Sequence, residues 1–168
     1  MRIESESCGL AADIPTGWWG RIWGLGAPDP KDRSAATLHA ANFSLPINDG
    51  SFGFGVIIPG MEESQAFLSL VEIASPESSR KSQYGALPKS FEVGDFDQSW
   101  LASDSAHLLS KQYFCALQGR AFCLFAVFGS RAALLETRAD AMTLVRGIEV
   151  VPAEDFWTAE TQAVTGSD

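Results

Sequence analysis

The chain has 168 residues, 46 % hydrophobic and 20 % charged, with 12 Lys and Arg against 21 Asp and Glu, for a formal charge of −9. Those proportions exclude a disordered or repetitive chain, and the length fits one domain that buries roughly 70 % of the surface of its unfolded state. A pI near 4.6 argues against nucleic acid as a partner, because phosphate-backbone binding draws on clustered Lys and Arg.

No apolar run reaches the ~18–20 residues of a membrane span. The opening MRIESESCGL has neither the basic nor the apolar region of a secretory signal, so the expected location is cytoplasmic.

Residues 2–7 alternate in polarity and suit an edge strand. Residues 10–14 lead into the turn signal Pro15-Thr16-Gly17, and a strand over 18–23 follows. There Trp19 and Trp23 share one parity and Trp18 and Ile22 the other, so the strand either buries both faces or exposes a tryptophan. Residues 24–33 hold two prolines, two glycines and mixed charges and read as a loop. A strand over 36–45 should end before Pro46, with a turn at Asn48-Asp49-Gly50. Residues 53–59 are ambiguous between elements, whereas 66–73 form a convincing strand with Phe67, Val71 and Ile73 on one parity. A short helical turn is expected in 76–84. Asp95 resembles the N-cap of a short helix carrying Phe96, Trp100 and Leu101.

Residues 111–117 and 120–129 form a hairpin about the two-residue loop Gln118-Gly119. Pairing Leu117 with Arg120 sets Cys115 opposite Phe122 and Phe114 opposite Cys123. The two thiols then point to opposite faces, which forbids a disulfide between them. With Cys8 the count is three, and free thiols are expected. The strand 120–129 is apolar on both parities, so it belongs at the centre of a sheet covered on both faces by helices or loops. Ala141, Leu144, Val145 and Ile148 form a helical stripe, with Thr137 and Asp140 in the form of a capping box and Gly147 at the C-terminus. A short strand over 148–151 should close the domain, leaving 152–168 as an acidic, aromatic tail.

The residues Ile14-Pro15-Thr16-Gly17-Trp18 resemble the P-x-G-W opening of the PsbP-like superfamily, as does the C-terminal order of hairpin, helix and short strand. Pro15, Gly17-Trp18, Gly20-Arg21-Ile22, the run from Leu38 to Pro46, Asp49-Gly50 and Phe52-Gly53 are together similar to proteins of actinomycete bacteria, over most of residues 10–151. The resemblance implies an antiparallel sheet sandwiched by helices and a binding or assembly role. It carries over no catalytic residue.

His39 and His107 are the only histidines, and neither has a Cys or His at a metal-ligand spacing. A hydrogen-bonded structural role suits His39, and an exposed position suits His107. Asp95, Asp97 and Asp104 lack the glycine and terminal glutamate of a calcium loop. Gly50, Gly53 and Gly55 lack the Lys-Ser/Thr of a phosphate loop. These patterns favour a protein without metal or cofactor, and not an enzyme.

The aromatic residues point elsewhere. Trp18, Trp19 and Trp23 crowd six positions, and Phe156-Trp157 sits in the acidic tail; such residues anchor interface cores. The expected fold is therefore a single α+β domain over 1–151, mostly antiparallel sheet with helices on its faces. Its expected function is that of a non-catalytic accessory, adaptor or structural subunit. It would bind another protein, or itself as a homo-oligomer, through Trp18, Trp19, Trp23, Phe156 and Trp157. The alternative is a small-ligand or hydrolytic pocket between the sheet and the 24–33 and 50–60 loops.

Overall fold

The computed structural model describes residues 1–24, 36–47, 55–73, 84–98 and 107–152, and within them the polarity pattern resolves into nine strands and one helix. The strands are β1 (Arg2–Ser5), β2 (Leu10–Asp13), β3 (Trp19–Gly24), β4 (Ala36–Ala41), β5 (Ala66–Glu72), β6 (Asp97–Gln98), β7 (Leu109–Leu117), β8 (Arg120–Phe128) and β9 (Glu149–Val150). The helix α1 spans Arg131–Arg146. Three strands form a small sheet in the order β1-β2-β9, and six form a larger one in the order β3-β4-β5-β8-β7-β6. The ladders between these strands are antiparallel, and an isolated bridge joins Gly85 to Cys115 in parallel. The architecture is α+β, as the sequence predicts.

β8 lies between β5 and β7 and is buried at all nine positions. Phe122, Leu124, Ala126 and Phe128 face the main core, which α1 and the small sheet close with Leu134, Ala141, Leu144, Leu10 and Ala12. Phe125 and Val127 face a second core with Phe67, Ala41 and Leu108. That core is covered by Ile57, Ile58 and Met61 from the 3₁₀ turn Ile58–Gly60 and its flanks. The cover on this second face is thus a loop among the described residues, not a helix.

The β7–β8 hairpin has the expected register, with Leu117 opposite Arg120, Cys115 opposite Phe122 and Phe114 opposite Cys123. Both loop residues have left-handed backbone, Gln118 at φ 51° and Gly119 at φ 75°, the signature of a type I′ turn whose twist matches the strands. All three cysteines are free and buried.

Three expectations need correction. The helix starts at Arg131, not near Thr137: Ser130 is its N-cap and accepts from the Ala133 amide at 3.1 Å. Thr137 lies inside the helix, where its hydroxyl donates to the Ala133 carbonyl at 2.6 Å. Asp95 caps no helix. It ends the 3₁₀ turn Val93–Asp95, and the extended Phe96 leads into β6; Trp100 and Leu101 lie outside the described residues. Finally, β4 stops at Ala41, four residues before the expected end. The Asn42 side chain accepts from the Ala66 amide at 2.8 Å and donates to the Ser64 carbonyl at 3.1 Å, taking the place of ladder bonds.

Gly147 ends α1 for a reason of space. Its φ of −84° suits any residue, but a Cβ there would approach Asp13 Cβ to 2.8 Å. The helix terminus packs directly on β2.

A buried guanidinium, paired with a carboxylate of its own sheet, joins the two sheets. Arg120 Nε and Nη2 donate to the Glu72 carboxylate oxygens, each at 2.8 Å. The same guanidinium donates to the carbonyls of Cys8 at 2.7 Å, Gly9 at 2.9 Å and Val151 at 3.3 Å. Glu72 also accepts from the Ala36 amide at 3.1 Å. One side chain therefore ties the larger sheet to the β1–β2 turn and to the segment after β9.

Candidate functional site

β3 is an end strand of the larger sheet, paired on one side with β4 among the described residues. Its alternation divides the N-terminal tryptophans. Trp18 precedes the strand and is buried in the main core, on the same parity as Gly20 and Ile22. That packing is close: a Cβ on Gly20 would overlap the Ile14 side chain. Trp19, Arg21 and Trp23 point to the second face. Trp19 is 47 % exposed, and Trp23 is half-buried.

Arg21 shapes this surface. It faces His39 across the ladder, and its Nη1 donates to the carbonyls of Pro46 at 2.9 Å and Ile47 at 3.2 Å. These bonds hold the 46–47 segment against β3 and present Ile47, which is 88 % exposed. Two large apolar side chains are thus exposed here, Trp19 on the end strand and Ile47 on the segment that Arg21 holds.

Behind this surface the sheet becomes polar and closed. His39 has no exposed surface. It stands edge-on between Trp23, at a centroid distance of 4.5 Å, and Phe67, at 4.9 Å. Ser69 faces His39 directly across β4 and β5, and Thr37 lies on the same face. All three are fully buried, and the Thr37 and Ser69 hydroxyls have no hydrogen-bond partner. A serine opposite a histidine invites comparison with a nucleophile and its base, which must share a hydrogen bond. Here Ser69 Oγ makes none, and the pair is sealed from solvent. The arrangement shapes a core rather than presenting a nucleophile.

The other candidate residues are placed as follows. His107 is exposed at the approach to β7, its Nε2 3.3 Å from the Met61 carbonyl. Asp95 and Asp97 are present, but no group of three His, Cys, Asp or Glu assembles into a metal site among the described residues. Phe156, Trp157 and Asp104 lie outside the described residues, as do 25–33 and 50–54, most of the loops of the expected pocket. Burial pushes the Cys115 and Cys123 thiols up to about 11, away from the reactive thiolate. No described helix is long and apolar enough to cross a membrane.

Sequence reasoning missed Ile47 and the His39–Ser69 juxtaposition. Ile47 carries no periodic signal beside Pro46. The pairing of positions 39 and 69 depends on a strand register that no local spacing encodes. No protein family, curated protein or solved structure matches this chain.

Proposed function

We propose that this protein is a non-catalytic accessory or adaptor subunit that binds another protein through the β3 side of its larger sheet. One observation carries the reading: Trp19, 47 % exposed on an end strand whose Arg21 holds Ile47, 88 % exposed. Tryptophan buries a large area at little entropic expense, which makes it a frequent hot-spot residue. An end strand also offers backbone donors and acceptors to an incoming strand. Trp23, on the same face of the strand, packs edge-on against His39, while Trp18 serves the core. The resemblance to the PsbP-like superfamily points the same way, since its members are mostly binding or assembly proteins.

The test is a Trp19→Ser/Ile47→Ser variant of the full chain, compared with the parent by affinity purification and mass spectrometry. The expected result is loss of a specific co-purifying protein with an unchanged melting temperature. Retention of every partner by the variant refutes the reading. Self-association is separated by light scattering: a mass that doubles in the parent and not in the variant makes the partner a second copy.

A further inference from the structure

On the side of the larger sheet away from Trp19, α1 and the segment 89–92 enclose a groove of about 400 Å³. The chain carries −9 overall and only 12 cationic side chains, yet Lys89, Arg138 and Arg146 all line this groove. Arg138 and Arg146 stand two helical turns apart on one face of α1, about 12 Å along its axis. Lys89 faces them from the other wall. The floor is Phe91 and Met142, buried to 1 % and 5 % exposure.

These cations are not spent on the fold. Among the described residues neither Lys89 nor Arg146 has an ion pair or a side-chain hydrogen bond. Arg138 reaches Glu92 at only 3.6 Å, between side chains 42 % and 61 % exposed, an arrangement of little worth in water. Arg146 in the last helical turn gains from the helix dipole. That reason does not extend to Lys89 or Arg138. Like charges around one concavity repel unless something negative sits among them, and an acidic protein has few cations to place there.

We propose that this groove binds a small organic dianion, a phosphate ester or a dicarboxylate. Three cations against one carboxylate leave a local charge of +2, which a dianion balances. The volume lies in the ordinary range of small-molecule sites, roughly 300–1,000 Å³. Arg138 and Arg146 supply planar forks for oxyanions, and Lys89 a point charge from the opposite wall. Ser90, also on the wall, adds a hydroxyl, whereas that of Thr143 donates to the Ala139 carbonyl at 3.0 Å. The site is independent of the protein-binding surface.

The full chain would be titrated by calorimetry with glycerol 3-phosphate and, separately, with citrate, at about 0.15 M salt, where diffuse surface attraction is screened. The expected result is saturable binding of at least one probe with Kd below about 1 mM. Amide shifts in NMR spectra should cluster on residues 89–92 and 138–146. Lys89→Gln/Arg146→Gln should weaken binding at least about tenfold, since each lost charge-assisted bond carries that order of affinity. Glu92→Gln should tighten it, while Lys111→Gln, on β7, should change nothing. Response to glycerol 3-phosphate alone assigns a phosphate, and response to citrate alone a carboxylate. The proposal is overturned if neither probe saturates, or if Lys111→Gln weakens binding as much as the groove variant.

Discussion

Replacing Arg120 with methionine removes the guanidinium but keeps a long apolar stem. In the native protein the Arg120 side chain is 2 % exposed and that of Glu72 is 8 % exposed. The substitution leaves the Glu72 carboxylate with the Ala36 amide as its remaining partner among the described residues, and it takes the guanidinium from the carbonyls of Cys8 and Val151, while that of Gly9 keeps the Val151 amide. Breaking one side of a buried ion pair costs about 3–5 kcal/mol. In a domain of this size each kcal/mol moves the melting temperature by roughly 2–4 °C, so the expected drop is about 6–20 °C. A paired thermal melt and urea titration would measure it. The second variant, Arg120→Met/Glu72→Gln, decides the cause. Glutamine still accepts from the Ala36 amide but carries no charge, so the double variant should regain about 2 kcal/mol over the single. A single-variant loss under about 1 kcal/mol would show that the two sheets do not depend on this side chain. A double variant no more stable than the single would show that orphaned carbonyls, not the buried charge, dominate.

Ser130→Ala should lower stability by about 1 kcal/mol through loss of the helix cap, and Ser130→Asp should restore much of it; both are read from urea midpoints. Gly129→Ala should be severe, because the added methyl overlaps the Glu62 backbone carbonyl, whereas Gly94→Ala meets nothing within 4 Å and should stay within about 0.5 kcal/mol. A thiol reagent at pH 8 should leave Cys115 and Cys123 nearly unmodified in the native chain and react with every cysteine in urea. For the same two thiols the unfolded value near 9 is below the folded value of about 11. The unfolded chain therefore loses its protons first, and stability, complete below pH 9, should fall as pH rises towards 11. A flat stability profile across that window would contradict the burial of both groups.

What the sequence made legible was local. The β7–β8 register follows from a two-residue loop and a period of two, and both are contained in twenty residues. β8 announced its central place by being apolar on both parities. The helix start was misread because Thr137 and Asp140 imitate a capping box, while the working cap, Ser130, precedes Arg131-Ala132-Ala133 with no acid to mark it. Leu134 lies seven residues before Ala141, so the apolar stripe does extend back across Thr137. The premature end of β4 needed the Asn42 side chain to reach Ser64 and Ala66, a contact spanning more than twenty positions.

The Arg120–Glu72 pair had a signal that parity alone could have exposed. Glu72 continues the inward set Leu68 and Leu70, and Arg120 opens the inward set Phe122 and Leu124. A charge of each sign on the core side of two strongly apolar strands must find its opposite or unfold the sheet. Trp19 breaks the opposite rule, a large apolar side chain turned outward from a strand whose other parity is core. The first violation is resolved inside the molecule, since both charges are satisfied and Arg120 also reaches the small sheet's connections. The second is not resolved there: 47 % of Trp19 remains in solvent, and Arg21 on the same strand holds the exposed Ile47. A departure compensated within the fold is architecture, and one left open at its surface is the ground on which the partner surface is proposed.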